Sequence, residues 1–317
     1  MKIKPELRQD LIKNCGNKNG EDLVFYFEKK SENGYQLLNH FSLSNVDKEV
    51  QKEIVSFCSI INNCRDSFHA LYNAYNDYFK YVSDDPSGKE ENEVFIHARR
   101  LCNEFIDSGK MFLDFMQNDW GKKNLEERDY AEWDLRRRET YDNELAYRIC
   151  YNLRNLIEHP GNKIIFCGPM VNWNNIPIMD LSLSRAIIFS NEKNAKQFLK
   201  KIGKPDSYWN NDTNLLINQY LPQYMKALMM LYKLAMSFFI SKNLKTIDKL
   251  AKYCGKGPLN LNLWSTSVKY KNFVENGDLN GQWYEEVTGH MLNEALSKLE
   301  EDNVLKLKYK KIDPKKL

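Results

Sequence analysis

Glycine and proline are scarce, 14 and nine in 317 residues, which excludes a collagen-like or linker-like chain. Charge of one sign is lacking too. The 46 Lys and Arg against 43 Asp and Glu leave +3, too little to announce a nucleic-acid binder by charge alone. No CxxC pair occurs, and the seven cysteines (15, 58, 64, 102, 150, 167, 254) are odd in number and fall partly on apolar stripes. They read as reduced core thiols in a cytoplasmic protein. A bilayer-length apolar run is absent: the greasiest stretch, Tyr224 to Ile240, is broken by Lys226 and Lys233 and falls short of the roughly 20 residues needed. The opening MKIKPELRQDL has no apolar run behind its lysines, so no secretory signal is expected.

The signatures of common chemistries are missing as well. Gly255-Lys256-Gly257-Pro258 follows no clear strand and lacks the second half of a phosphate loop. No HExxH, no Cys/His cluster with metal-ligand spacing and no GxSxG elbow appears, so neither a metal nor a cofactor is expected. The five histidines (40, 69, 97, 159, 290) are scattered, and His69 and His97 fall inside helical patterns.

What is present is a core: 42% of residues are apolar and 28% charged. Leu23–Phe27 and Tyr35–Leu43 flank Asn33-Gly34, a hairpin signal. From Val50 through Ile54, Phe57, Ile61, Cys64, Phe68, Leu71, Tyr75 and Tyr78 to Val82, apolar residues recur in steps of three and four, predicting one long helix. Asp84 to Gly88 ends it. Val94, Ala98, Leu101, Phe105, Ser108, Phe112 and Phe115 predict a second helix reaching Gly121, antiparallel to the first because the turn between them is short. A third starts at Glu126 or at Asn143 and stops at His159, before Pro160-Gly161. Lys163–Cys167 and Ile178–Phe189 read as strands, Asn194–Ile202 as a short helix, Thr213–Cys254 as helix broken at Pro222 and Asn243, and Leu279–Asp302 as a last helix. The fold class is thus mainly α, an antiparallel bundle with a small β element. Residues 1–45 form a hairpin region, 46–250 the bundle with a strand-rich insertion at about 162–205, and 251–317 a helical region. Its tail, 304–317, holds six Lys and one Asp and reads as a frayed, solvated end.

One segment stands apart, Tyr151 to Gly161. On a helix at about 100° per residue, Leu145, Ala146, Ile149, Cys150, Leu153, Leu156 and Ile157 fill one arc of roughly 140°. Arg154 and His159 lie on its two shoulders, while Asn155 and Glu158 point away. The bland account is a helix-surface pair between Arg154 and Glu158, worth roughly 0.2–0.5 kcal/mol, with His159 as a C-terminal cation suited to the helix dipole.

Arg154-Asn155-Leu156-Ile157-Glu158-His159 resembles the R-x4-H motif of the HEPN superfamily, in the form where a polar Asn follows the Arg. The resemblance covers roughly residues 46–250; the strand-rich insertion departs from a minimal bundle. It implies a metal-independent endoribonuclease of bacterial antiphage defence or a toxin–antitoxin pair, usually dimeric, with RNA as substrate and an antitoxin or sensor protein as partner. Members that only bind RNA or a protein belong to the same family, so a catalytically silent scaffold or antitoxin-like regulator stays open. On the nuclease reading, His159 is the acid or base, Arg154 offers its donors to a phosphate oxygen, Asn155 orients the phosphate or the Arg, and Glu158 tunes His159 or binds Arg154. A spacing of five puts Arg154 and His159 about 140° apart on one helix, so a shared site asks for two copies across a twofold axis. Arg136-Arg137-Arg138 is either a basic rim for RNA or a solvated helix face. The aromatics default to core, as at Phe57, Phe68, Phe105 and Phe112.

Overall fold

The structure is a computed structural model that describes residues 45–84, 90–157, 192–205, 215–253 and 289–304, with strand backbones at 22–31, 34–43, 165–171, 177–183, 264–269 and 284–287. Side chains are described for 45–84, 90, 92–154, 196–205, 217–253 and 291–304. The protein is mainly helical. In chain order the helices are α1 (Asn45–Ser83), α2 (Glu91–Phe115), α3 (Glu127–Asn143), α4 (Leu145–Ile157), α5 (Glu192–Lys201), α6 (Leu221–Tyr253) and α7 (Gly289–Glu301).

The expected seams of the first two helices are largely buried. On α1 every position from Val50 to Val82 is buried except the half-exposed Tyr75; on α2, Val94, Ala98, Leu101, Phe105 and Phe112 are buried. All four cysteines among the described side chains, Cys58, Cys64, Cys102 and Cys150, are buried free thiols. Burial pushes Cys64 and Cys150 well above the usual thiol range. They behave as small hydrophobes.

The chain divides into two compact units, residues 63–239 and residues 1–62 with 240–317. In the first, α1 and α2 are antiparallel: Cys64 meets Met116 at 3.7 Å, and Phe68–Phe112, Tyr75–Phe105 and Tyr81–His97 have ring centroids 5.9, 5.3 and 4.4 Å apart. The first half of α6 closes on them, Tyr232 stacking on Phe68 at 4.1 Å and 1° and Phe239 meeting Trp120 at 5.6 Å. Tyr224 approaches α2 so closely that a Cβ on Gly109 would stand 2.6 Å from its hydroxyl, which is why glycine is needed there. Backbone strands β3 (Ile165–Val171), β4 (Pro177–Leu183) and β5 (Leu215–Leu216) pair antiparallel in that order. In the second unit β1 (Asp22–Ser31) pairs with β2 (Gly34–Leu43) and β6 (Trp264–Lys269), and β6 with β7 (Tyr284–Val287). There the N-terminal part of α1 runs against the end of α6: Lys249 pairs with Glu53 at 2.9 Å, and Tyr253 donates to Asp47 at 2.7 Å. Leu292, Ala295, Leu296 and Leu299 are the buried stripe of α7.

Four boundaries differ from expectation. Beyond Phe115 the helix continues as a π-turn, Met116–Trp120, and one last α-turn, Gly121–Asn124. A π-turn loosens the carbonyl ladder, and side chains answer two of its oxygens: Gln117 O accepts from Tyr130 Oη at 3.1 Å and Trp120 O from Asn124 at 2.9 Å. The stretch for which the sequence left a start at Glu126 or at Asn143 open holds two helices, α3 and α4, separated at Glu144, whose backbone is extended (φ −100°, ψ 106°), so the helix that carries the motif starts within two residues of the later of the two. Asn243 does not break α6, and Pro222 is its second residue, where a missing N–H costs nothing. The last helix starts at Gly289, after β7, instead of at 279.

Candidate functional site

The site is assembled on α4. Its expected apolar arc is buried at Ala146, Ile149, Cys150 and Leu153, but Tyr147 and Asn152 are buried as well, so the helix is enclosed further round than the arc predicts. Asn152 is tolerated because its amide donates to Arg148 O at 2.8 Å and to Tyr141 Oη at 3.1 Å. Arg148 has a capping role. Its guanidinium donates to Ile202 O at 2.9 Å, to Tyr141 O at 3.0 Å and to Asp142 O, answering carbonyls at the ends of α3 and α5. Gly203, in the left-handed region at φ +70°, completes the end of α5.

Arg154 sits in the last turn of α4 with its side chain 27% exposed. Its Nε lies 3.4 Å from Asp107 Oδ1 on α2, the Asp107 side chain being 41% exposed. The two helices share a polar seam that continues from there: Lys110 pairs with Asp114 on α2 and stands 5.5 Å over the Tyr151 ring of α4. Asn103, one turn before Asp107, has a buried Oδ1 with no hydrogen-bond partner among the described residues. Spacing within one helix cannot reveal a partner 47 residues away. The signal that could have found it is the polar stripe Asn103, Asp107, Lys110, Asp114, at helical spacing beside the apolar stripe of α2.

The Asn155 side chain, Glu158 and His159 lie outside the described residues, so Arg154 is the motif residue whose surroundings can be described. The arginine triplet lies on α3. Arg136 donates to Glu132 and Glu139, each at 2.9 Å; Arg137 and Arg138 donate through Nε to Asp134, each at 2.9 Å. Burial pushes the Asp134 carboxyl up, but the hydrogen bonds from Arg138 and Arg137 outweigh it and hold it below its usual 3.8. Three cations thus stand against three carboxylates, which suits the solvated helix face of the two alternatives and flattens the basic rim. An open groove of about 390 Å³ between α3 and the start of α6 is lined by Arg136, Glu139, Lys226 and Met230 among others, and Arg154 is not part of its wall.

Two buried phenols flank the seam. Tyr147 and Tyr224 meet edge to face with centroids 5.5 Å apart. Burial pushes both well above the usual 10.0, with the Arg137 guanidinium opposing the shift at Tyr147. A raised phenol contributes stability that is fully present below pH 10 and is lost as pH rises toward the folded-state value. Unfolding free energy should therefore fall as pH rises above 10. Absorbance at 295 nm should show the two ionising only as the chain unfolds, and Tyr224→Phe should shallow the alkaline slope, to which the buried Cys64 and Cys150 thiols also contribute. A Tyr224→Phe protein with the wild-type slope would contradict the assignment.

Among the described residues, no helix is long and apolar enough to cross a membrane. No protein-family model, no curated protein and no solved structure matches this chain.

Proposed function

We propose that this chain is a metal-independent endoribonuclease of the HEPN type, acting in the bacterial cytoplasm as an antiphage-defence or toxin effector. The observation that carries the reading is Arg154: an arginine whose side chain is 27% exposed, in the last turn of a helix anchored by buried neighbours, five residues ahead of His159. The finer fold assignment, a HEPN-like bundle carrying a small β element, belongs to the same proposal.

Cleavage without a metal asks for three things: removal of the ribose 2′-proton, stabilisation of a charged phosphorane, and a proton for the departing 5′-oxygen. The 2′-oxygen attacks the adjacent phosphorus, the bond to the 5′-oxygen breaks, and a 2′,3′-cyclic phosphate and a 5′-hydroxyl remain. Imidazole titrates near neutrality and serves as acid or base, which is the role given to His159. Arg154 supplies charge-assisted donors to a non-bridging oxygen, and Asn155 and Glu158 orient that pair. A homodimer brings two motifs to one cleft, so that one histidine takes the proton and its twofold mate gives one. An antitoxin or a sensor protein holds the nuclease in check.

The test is incubation of the purified protein with single-stranded RNA in excess EDTA. Cyclic-phosphate ends are expected from wild type and none from His159→Ala. Intact RNA with wild type, or unchanged cutting by His159→Ala, sinks the reading; binding without cutting leaves the silent binding module. A sedimenting monomer that still cleaves RNA refutes the composite site.

A further inference from the structure

We infer that the open groove between α3 and the first half of α6 is a face through which two copies of this chain associate, Lys226 of each copy meeting Glu144 of the other across a twofold axis. Arg154 is not part of this wall, so the pairing stands apart from the proposed RNA cleft and does not rest on the nuclease reading.

The walls are one face of each helix. Positions 136, 139, 140 and 143 of α3 and 223, 226, 227 and 230 of α6 both follow the i, i+3, i+4, i+7 pattern. The helices run in opposite directions. All the α3 positions follow Trp133, all the α6 positions precede Leu231, and the Trp133 indole donates to Leu231 O. Arg136 is engaged within its own helix, by Glu132 and Glu139. Lys226 and Glu144 are not: both are exposed, and neither side chain makes a hydrogen bond or ion pair among the described residues. One lone cation and one lone anion therefore line the same groove.

Their spacing selects the occupant. At about 1.5 Å per residue, Lys226 lies about 7–8 Å and Glu144 about 16 Å from the Trp133–Leu231 bond, on the same side of it, so the two charges stand roughly 9 Å apart along the groove. A free amino acid holds its ammonium and carboxylate far closer than that. A twofold axis crossing the groove midway between the two charges lays the same pair down in reverse order, and each charge then meets its opposite at matching spacing. Gln223, about 12 Å along, falls at that axis. Its side chain gives one N–H to Gln219 O and keeps a second N–H and its carbonyl, which can donate to and accept from the same amide of the other copy.

The experiment is sedimentation equilibrium of the full chain at low salt. Wild type should show twice the mass of Lys226→Glu and twice that of Glu144→Lys. Each reversal should raise the dissociation constant about a hundredfold, because it exchanges two attractions for two repulsions. An equimolar mixture of the two variants should regain the wild-type mass, since every contact in the mixed pair again joins an acid to a base. The ratio of two holds whether or not a separate contact at the motif also joins chains. Added salt should lower the wild-type mass. Melting curves show that each variant is folded; should a reversal fail to fold, Gln223→Asp carries the test, since it sets two carboxylates face to face on the axis and should also halve the mass. Equal masses for wild type and the folded variants, or a mixture that stays at the lower mass, overturn the inference and leave the groove to a small ligand or to another protein. RNA cleavage is not read, so a chain without nuclease activity gives the same answer.

Discussion

Trp133→Ala is expected to lower the melting temperature by about 10 °C, through a loss of about 3–5 kcal/mol. The size follows from how α3 is attached. Its sequence, Glu127 to Asn143, is polar almost all round, and Trp133 is its only buried residue. That ring is fully enclosed, lies beside Tyr130 with centroids 6.1 Å apart, and donates its indole N–H to Leu231 O on α6 at 3.1 Å. Truncation therefore removes the anchor of a whole helix together with its hydrogen bond. Trp133→Phe keeps most of the buried area and loses the donor, so it should cost about 1 kcal/mol. Calorimetry on the three proteins checks the order. An alanine variant melting within a degree or two of wild type would mean that α3 is held by something other than this ring.

The second large effect concerns the proposed chemistry. Arg154→Ala should slow RNA cleavage at least a hundredfold, about 2.7 kcal/mol of transition-state stabilisation, the order seen when one preorganised donor to a developing oxyanion is deleted. Its thermal stability should fall only modestly, because the Asp107 side chain that loses this cation is 41% exposed as a whole. Arg154→Lys is the sharper probe. It keeps the charge and loses the planar fork, so RNA affinity should be retained while turnover stays well below wild type. Full activity in the lysine variant would reduce the role of Arg154 to charge alone. Full activity in the alanine variant would remove it from the mechanism.

The parts of the fold that a reader of the sequence could see were those written as periodicity. The seams from Val50 to Val82 and Val94 to Phe112 are long enough that propensity, spacing and burial agree. The arc of α4 was visible for the same reason, yet incompletely, since a buried Asn152 is acceptable only because Tyr141 and Arg148 receive its amide. Features set by tertiary contact left no such trace. No Pro or Gly marks the break at Glu144; it exists because Arg148 closes the carbonyls that the end of α3 leaves open. The π-turn after Phe115 is stabilised by Tyr130, and Asn243 stays helical between Ile240 and Ile247, both buried. For the candidate site, the motif residue on α4 was readable and its partner on α2 was not. The arginine triplet, for which the sequence left a basic rim and a solvated helix face open, stands against carboxylates interleaved on the same helix, at positions 132, 134 and 139.

The way Arg148 is spent has a mechanical side. One guanidinium ties α4 to the last carbonyls of α3 and to the turn that follows α5, three oxygens from two directions. Such a bracket stops α4 from sliding along its own axis, a motion that stacked apolar faces resist only weakly. Arg154 lies six residues on, about 9 Å further along that axis, and inherits the fixed height. The reach of its amines is therefore set from a point well outside the site, by a residue that need never touch a substrate.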